Sequence, residues 1–480
     1  WTHDSTFWTF RCDSNNSTGD SMLCGDASKL TDAELVSDSP DGPVAEKGGA
    51  GQRLRDAFQT DAGYVNRKVY TDSGTNDTAL IPFNTTNVTT TLLGVSTTTE
   101  RDALVTWARG VDNIGENNLS ANGPRPSITG DVLHSEPVAV NYGVTGGNCS
   151  SSGTGDVVVY YAGNDGFVHA IKGGKTEGEE LWSYMPRDFL PKVKRLRDNT
   201  PAVTFPAPVP AAGFNKPYTI DGSLTVYAPD DNTDCRPDKV WLFVTLRRGG
   251  RIIYGLDVTD RNNPKLLWRR TPTDTGFSEL GQSWSRLKPI LLPDRKPYLI
   301  FGAGYDPNAE DRPLDTTTGS YGSPPSSTRT MGRGVFVVDA QAGTLAKFLS
   351  AGSYSIPSDV AVIANPQTGN AERAYVGDTG GDLWKITLPA SASDISDSSK
   401  WTIEKIAAFG PTDATDTSIT AADARAFLYP PDVARCSGEE VLLIGSGDRE
   451  KPFDRIAQNR FFMLKSSPSA ANILFPLAAH

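Results

Sequence analysis

The sequence predicts an all-β protein folded as a β-propeller of four-stranded blades with long inserted loops. After Pro124, short runs of β-branched residues recur and are separated by Gly, Asp and Pro, as expected for strands joined by turns. These runs form a unit of four strands that repeats five times. Radial repetition of four-stranded sheets is typical of propellers, which leave only short, protected sheet edges. A β-sandwich of similar strands is the alternative, but the four-strand repeat favours the propeller.

The first and second strands of each unit have distinct signatures. First strands follow a polar residue and often contain Pro, and they are predicted at His134–Val140, Ser223–Ala228, Arg286–Leu292, Ser358–Ala364 and Arg425–Val433. Second strands are apolar and usually end in Gly, and they are predicted at Val157–Gly163, Val240–Leu246, Tyr298–Gly304, Arg373–Gly377 and Val441–Gly445. Gly provides the tight turn that leads into the third strand.

Third and fourth strands complete the units. Third strands are predicted at Phe167–Ile171, Ile252–Asp257, Gly334–Asp339, Asp382–Thr387 and Arg460–Leu464. Fourth strands are predicted at Glu180–Tyr184, Lys265–Trp268, Thr344–Leu349 and Trp401–Phe409. The last unit has no obvious fourth strand, and we expect either Ile473–Leu477 or an N-terminal strand to complete it. We also expect Trp182, Trp268 and Trp384 to pack between neighbouring sheets.

The propeller is predicted to occupy residues 126–480. Its units recur at spacings longer than the ~45 residues of a bare blade, so long loops must be inserted. The clearest insertions are Pro186–Asp221, Asp306–Arg333 and Gly410–Ala424. Five units are clear, and the length leaves room for up to seven blades. Residues 1–125 are predicted to be an irregular segment, with a short helix at Glu100–Arg109 and a few strands, that packs on the propeller.

Composition and charge exclude several classes of protein. The net charge is −11, and a chain this acidic repels phosphate backbones, so nucleic-acid binding is not expected. No apolar run approaches the ~20 residues of a membrane-spanning helix. The sequence begins at Trp1 without an initiator Met, so we expect it to be a mature or excised part of a longer protein.

The five cysteines suggest an oxidising compartment. Cys12 and Cys24 lie in a Ser-, Asn- and Gly-rich segment where core burial does not explain them, so we predict a disulfide between them. Cys149, Cys235 and Cys436 each precede the second strand of a unit. Because a propeller closes in a circle, Cys149 neighbours both others, and Cys149–Cys235 and Cys149–Cys436 both remain open. Five unpaired buried thiols are the alternative.

The segment from Asp230 to Asp238 fits the spacing of a calcium loop. Ligand and spacer residues alternate, which lets a tight loop turn its oxygens inward onto the ion. Two features depart from the usual pattern: Cys235 stands where the turn glycine is expected, and Trp241 stands where a glutamate is expected. A solvated acidic hairpin is the alternative. The predicted calcium ligands are the side chains of Asp230, Asn232, Asp234 and Asp238 and the carbonyl of Arg236.

Two further polar motifs have structural interpretations. Asp131, His134 and Ser135 include the residue types of a hydrolase triad, but they lie almost adjacent at the start of a strand, where alternate side chains point to opposite faces. We interpret them as a structural motif at the strand start and predict no catalytic residues. His169 lies within a predicted strand, and we expect it to be packed or to cap a neighbouring group.

Several motifs, in this order along the chain, resemble the C-terminal domain of the PilC/PilY family of type IV pilus tip-associated adhesins and biogenesis factors. Upstream, YTD (70–72), IPF (81–83) and WARGVD (107–112) also fit, so the resemblance extends from about residue 52 to 470. The motifs are GDVLHSEPVAVNYG (130–143), YYAGNDGFVHAI (160–171), LWSYMPRDFLPKVKRL (181–196), YTIDGSL (218–224), GRIIYGLDVTD (250–260), LGQSWSRLKPI (280–290), YVGDTGGDLWKI (375–386), and GSGDREKPFD followed by NRFFMLK (445–465).

The resemblance implies a quinoprotein-like modified β-propeller at the bacterial surface, at the pilus tip, the outer membrane or in the periplasm. It implies a protein without enzyme activity that supports pilus assembly with minor pilins, counters pilus retraction, attaches to host or abiotic surfaces and supports twitching motility. The family protein is larger, with a variable N-terminal region, and this chain would be its propeller-bearing part. The Asn- and Thr-rich stretch Asn84–Thr91 is a candidate for adding a strand to a partner's sheet edge, with a solvated loop as the alternative.

Some family members carry a calcium loop just before the Tyr-x-Gly-Asp strand. The corresponding positions here are Ala364, Pro366, Thr368 and Glu372, of which only Glu372 offers a carboxylate. Calcium requires six to eight oxygens, so we do not assign a calcium site at that loop.

Two other functions are compatible with a propeller. Quinone-dependent dehydrogenases use related blades, but they bind the quinone through a metal and often carry adjacent cysteines, and no Cys-Cys pair exists in this sequence. An envelope scaffold is the third possibility, and absence of pilin partners would favour it.

Overall fold

The computed structural model describes most of the chain from Ala50 onward. The described residues are 50–51, 53–54, 57, 63–74, 79–115, 123–125, 127–144, 155–173, 177–201, 203, 216–232, 234–311, 314–315, 320–321, 328–410, 424–436, 439–451, 457–466 and 473–478. The predicted boundary between an N-terminal region and the propeller, at residue 125, stays a prediction.

Five antiparallel sheets follow one another along the chain, and we call them blades 1 to 5. Consecutive strands are neighbours within each blade. Blade 1 contains β3 (Val138–Val144), β4 (Gly155–Ala162), β5 (Val168–Gly173) and β6 (Glu180–Tyr184), preceded in the chain by β1 (Val69–Asp72) and β2 (Leu80–Pro82). Blade 2 contains β7 (Leu224–Tyr227), β8 (Trp241–Val244), β9 (Ile253–Asp257) and β10 (Lys265–Arg270).

The remaining three blades repeat this order. Blade 3 contains β11 (Lys288–Leu291) and β12 (Pro297–Gly302), then β15 (Gly334–Asp339) and β16 (Leu345–Ser350), and its insertion forms a hairpin of β13 (Leu314–Asp315) and β14 (Ser320–Tyr321). Blade 4 contains β17 (Ala361–Ala364), β18 (Ala371–Gly377), β19 (Asp382–Thr387) and β20 (Thr402–Ala408). Blade 5 contains β21 (Asp432–Cys436), β22 (Glu439–Gly445), β23 (Arg460–Lys465) and β24 (Ile473–Ala478). The prediction of an all-β modified propeller is confirmed.

Two segments were candidates for the fourth strand of the last blade, and they lie in different sheets. β24 pairs antiparallel with β23, with Phe461 opposite Leu477, and it completes blade 5. The N-terminal strand β1 instead pairs in parallel with β6, with Tyr70 opposite Tyr184, and β2 pairs with β1. Blade 1 therefore belongs to a six-stranded sheet whose outer edge is covered by N-terminal residues.

The helices of the described residues are short. They are α1 (Gly63–Asn66), α2 (Thr90–Leu93), α3 (Thr98–Ala108), α4 (Val193–Asp198) and α5 (Pro307–Glu310), with 3₁₀ turns at Arg187–Lys192, Arg247–Gly249, Ala392–Ser396 and Ser398–Lys400. The predicted helix is α3: the Thr97 hydroxyl accepts the Glu100 N–H and starts it, and Leu104, Val105 and Trp107 face the core. Residues 84–91 form turns and the start of α2 rather than a strand, because the Asn84 and Thr89 side chains accept backbone N–H groups.

The hydrophobic core lies between successive blades. One cluster joins the N-terminal residues to blades 1 and 2, and three further clusters join blades 2 and 3, 3 and 4, and 4 and 5. Trp182 and Trp268 hold these layers in register, since their indole N–H groups donate to the carbonyls of Arg261 and Ala340 in the next blade, at 2.7 and 2.9 Å. Trp384 differs: it packs partly against the blade 3–blade 4 core but donates to Asp378 of its own blade, at 2.8 Å.

Candidate functional site

The inner strands of four blades enclose a cavity of about 450 Å³. Its walls include Thr225 of β7, Lys288 of β11, Ile363 of β17 and Val433 of β21, each from the first strand of its blade. The cavity is therefore the central channel of the propeller. In every blade the first and second strands are antiparallel, so the start of the first strand lies beside the end of the second. The starts of the first strands and the loops between second and third strands therefore lie at the same end of the propeller. We call this end the upper face.

A cluster of arginines links blades 2, 3 and 5 on the upper face. Arg247 and Arg248 lie between β8 and β9, and the Arg247 guanidinium lies 4.3 Å from the ring centroid of Trp284. Trp284 in turn stacks on Tyr305 at 4.1 Å. Arg247 is only 3% exposed and has a left-handed backbone, with φ of 46°. A buried side chain in a sparsely populated backbone region requires that its surroundings hold it there.

Glu450 supplies the carboxylate that neutralises this cluster. It lies between β22 and β23 of blade 5 and pairs with both Arg247 and Arg248, the latter at 2.9 Å. Arg248 also pairs with Asp311 at 2.7 Å. Burial opposes the charge on Glu450, but the two arginines outweigh it and lower its pKa. The result is a charged bridge between the second and the last blade.

A second set of contacts surrounds the start of blade 1. The His134 ring Nδ1 lies 2.9 Å from Asp221 Oδ2, at the start of blade 2. The Asn164 amide donates to Asp131 and to Asp221, at 3.1 and 3.3 Å. The Ser135 hydroxyl accepts the Ala162 N–H at 3.2 Å. His134 is thus bonded to a residue of another segment, and the interpretation of these residues as a structural motif stays a prediction.

The starts of three blades meet at Arg286. Its backbone N–H donates to Asp359 Oδ1 at 2.7 Å, and its guanidinium pairs with Glu136 of blade 1 at 2.6 Å and with Asp359 of blade 4 at 3.2 Å. Burial raises the pKa of Asp359 although Arg286 opposes the shift. Ion pairs from all five blades therefore surround the upper mouth of the channel.

A buried charge network behind blade 1 was only partly anticipated. His169 is fully buried, and its two ring nitrogens lie 2.7 Å from Glu180 and 3.0 Å from Asp165. Arg67 pairs with Glu180 at 2.6 Å. Burial opposes both charges, yet the neighbouring ions outweigh it, raising the pKa of His169 to about 9 and lowering that of Glu180 to about 2. Packing of His169 was predicted, but the network also depends on Arg67, which is 113 residues from Glu180 and too distant in the sequence to be found by spacing.

The predicted calcium ligands come together in one exposed turn on the opposite, lower face. Asp230 accepts the N–H groups of Asp234 and Cys235, at 3.1 and 2.9 Å, and Asp238 accepts from Asp231 and Asn232, at 2.7 and 2.9 Å. Cys235 adopts the left-handed conformation expected at the turn glycine, with φ of 65°.

Calcium binding at this turn stays a prediction. Arg236 donates its backbone N–H to Asp234 at 2.9 Å. Among the described residues, no group of three or more His, Cys, Asp or Glu side chains is arranged to hold a metal ion. The hairpin at 365–370, where no calcium site was assigned, is closed by its own side chains, since the Asn365 amide donates to Glu372 at 2.7 Å.

The structure provides information on the predicted disulfides at one cysteine. Cys235 is disulfide-bonded. Cys12, Cys24 and Cys149 lie outside the described residues, and the side chain of Cys436 is not described. Both the Cys12–Cys24 pair and the partner of Cys235 therefore stay predictions.

Comparison with known proteins identifies relatives of the chain. Residues 131–278, which span blades 1 and 2, match the family model described as the PilY1 beta-propeller domain. The type IV pilus biogenesis factor PilY1 homolog of Xylella fastidiosa (strain Temecula1) is 26% identical over 289 residues, which cover 56% of this chain and 20% of the relative. The type IV pilus biogenesis factor PilY1 of Pseudomonas aeruginosa (strain UCBPP-PA14) is 25% identical over 354 residues, which cover 68% of this chain and 27% of the relative.

Among solved structures, the Pseudomonas aeruginosa PilY1 C-terminal domain aligns over 66% of this chain and 58% of that chain, with 19% identity and a TM-score of 0.43. No helix of the described residues has the length and hydropathy to cross a bilayer. The chain spans about a quarter or less of the curated relatives that it matches. In the order of its motifs and in the match over blades 1 and 2, the chain is thus similar to proteins of the PilC/PilY family.

Proposed function

We propose that this chain is the propeller-bearing part of a type IV pilus biogenesis factor, which acts in the cell envelope or at the pilus by binding other pilus components. The observation that carries the proposal is the match of residues 131–278 to the PilY1 beta-propeller domain. A protein of this kind needs surfaces for partners rather than a reaction site, and we propose no enzymatic activity.

The mouth geometry is compatible with a binding role. Many of the charged side chains around the upper mouth are committed to each other, as in the pairs of Arg247 with Glu450 and Arg286 with Asp359. Such pairs hold loops from several blades in one rigid surface, and binding sites built on rigid surfaces lose less conformational entropy on binding. We extend the proposal to minor pilins as partners, to opposition of retraction, and to surface attachment and twitching as consequences of assembled pili.

Complementation in the source bacterium tests the proposal. A strain lacking the gene would receive either the full-length gene or a version that ends before residue 126, and immunoblots would verify that both products accumulate. We expect the truncated version to leave pilin inside the cell but to lose most surface pili in a shearing assay. If the protein opposes retraction, removing the retraction motor should restore those pili. Normal surface piliation with the truncated version would contradict the proposal.

A further inference from the structure

We propose that the upper mouth of the central channel docks an extended segment of a partner protein that carries an apolar anchor side chain and a carboxylate. The inference rests on the proposed function, because it assigns a location to partner binding.

Hydrogen bonds of polar side chains hold the segment that starts blade 1. Asp131 and His134 are bonded to Asn164 and Asp221, although their side chains are 46% and 35% exposed. Between them, Val132 and Leu133 are 42% and 52% exposed. Single exposed apolar residues are common on protein surfaces. Two together, on a segment whose polar neighbours are held by hydrogen bonds, form an apolar surface of the kind found at interaction sites.

A second apolar element lies at the start of blade 5. Tyr429 is 53% exposed. The Arg449 guanidinium lies 4.8 Å from its ring centroid and donates to its hydroxyl at 3.1 Å. Pro430 and Pro431, which follow Tyr429, line the channel. An aromatic ring fixed by a cation on one face and continuous with a channel wall resembles the anchors that dominate protein interfaces.

These two elements border the same opening. His134, next to Leu133, interacts electrostatically with Glu450, which is next to Arg449. Asp359, which lines the channel, interacts with Arg449, Arg286 and Glu136. The segment 132–136 of blade 1 and the residues 429 and 449 of blade 5 therefore lie around the mouth, above a cavity of about 450 Å³.

The charges inside the opening identify the chemistry of the occupant. Lys288 lines the channel, and its ammonium group makes only a 3.5 Å contact with the Val360 carbonyl. Within the described part of the chain, neither Lys288 nor Arg449 forms an ion pair with a carboxylate. A carboxylate on the incoming segment would complement both cations.

The remaining walls suit an extended peptide. Val360, Val362 and Val433 provide apolar contact, and the Asp432 carboxylate can accept backbone N–H groups. The channel volume falls within the usual range of binding pockets, about 300–1,000 Å³, and it accommodates a few side chains rather than a folded element. The occupant is therefore an extended segment of a partner.

Site-specific photocrosslinking in the source bacterium tests the inference. The full-length protein would carry p-benzoylphenylalanine in place of Leu133 or Tyr429, and in place of Ile114 as a control that is 47% exposed on the N-terminal segment. Mass spectrometry would identify the crosslinked peptides. We expect both mouth positions to crosslink to one segment of a pilus component that contains Asp, Glu or a chain terminus, and Ile114 not to do so. Absence of a crosslink from both mouth positions would overturn the inference.

Substitutions at two exposed positions distinguish a loss of docking from a loss of folding. We expect Leu133→Asp and Lys288→Glu to reduce surface piliation or the Tyr429 crosslink at least fivefold, with unchanged protein levels, while Ile114→Asp has no effect. If the truncated version abolishes piliation but both mouth variants behave as wild type, the docking inference fails and the proposed function stands. If truncation has no effect on piliation, the proposed function fails first.

Discussion

Arg67 and Glu180 are separated by 113 residues, yet they form a two-pronged ion pair of 2.6 and 2.9 Å that fastens the N-terminal residues to blade 1. Both side chains are almost completely buried. The same carboxylate accepts from His169 at 2.7 Å, and Arg67 also donates to the Arg109 carbonyl beyond α3 at 3.2 Å. One carboxylate thus neutralises two buried cations and connects three segments.

Glu180→Gln should destabilise the fold strongly. The substitution leaves Arg67 and His169 buried without their shared anion, and breaking a buried pair in this way typically costs about 3–5 kcal/mol. Glu177→Gln is the matched control, since Glu177 is a partly exposed residue paired with Lys172 at 2.8 Å, and it should leave stability unchanged. Urea unfolding would measure both variants. Equal stability of the two proteins would show that the network is not needed to hold the segments together.

Asp378 should make stability depend on pH near neutrality. Burial, followed by the neighbouring Asp382 carboxylate, raises its pKa from 3.8 to about 7. The folded protein therefore keeps a proton between pH 4 and 7 that the unfolded chain has lost. The stabilisation of the folded state by this proton is fully present below pH 4 and is lost as the pH rises through 7. At about 1.4 kcal/mol per pKa unit, it amounts to about 4 kcal/mol.

Urea unfolding at pH 5 and pH 8 isolates this effect. We expect the loss of stability between the two values to be clearly smaller in Asp378→Asn than in the wild type. Asp231→Asn, which makes the same change at an exposed position, should retain the wild-type pH dependence. An unchanged pH dependence in Asp378→Asn would contradict the assignment.

Calcium binding by the turn from Asp230 to Asp238 is directly measurable. Calorimetric titration of calcium into EDTA-treated protein should give saturable heat, because four oxygen-bearing side chains lie within one turn. Asp234→Ala should abolish the heat, whereas Asp231→Ala, between the predicted ligand positions, should retain it. Absence of heat in the wild type would leave the turn as a solvated acidic hairpin.

The partner of Cys235 should be Cys149. Gly143, near the end of β3, lies against the turn, since a Cβ atom placed on it would be 3.1 Å from the Cys235 carbonyl oxygen. The chain therefore leaves β3 beside Cys235 and reaches Cys149 a few residues later. Peptide mapping without reductant should find a Cys149–Cys235 peptide and, separately, the predicted Cys12–Cys24 pair. A Cys235–Cys436 peptide would overturn the first assignment.

The local sequence pattern predicted the bounds of strands accurately where a strand pairs with the strands next to it in the chain. The predicted strands Glu180–Tyr184, Gly334–Asp339 and Asp382–Thr387 have the bounds of β6, β15 and β19. The prediction of Arg425–Val433 was wrong in position, because β21 begins at Asp432. Phe427 instead bridges Gly447, and Pro430 and Pro431 cannot donate to a sheet ladder.

The sequence by itself determined the repeat, the blade architecture and the similarity to PilC/PilY proteins, since alternating apolar residues, turn glycines and ordered motifs are local properties. Only the tertiary structure decided which charges meet. Glu450 neutralises Arg247, 203 residues away, and Arg286 joins the starts of blades 1, 3 and 4. Such pairs form because the propeller brings loops of different blades to one mouth, and at the buried Arg247 an unpaired charge would be costly. No spacing along the chain encodes that proximity.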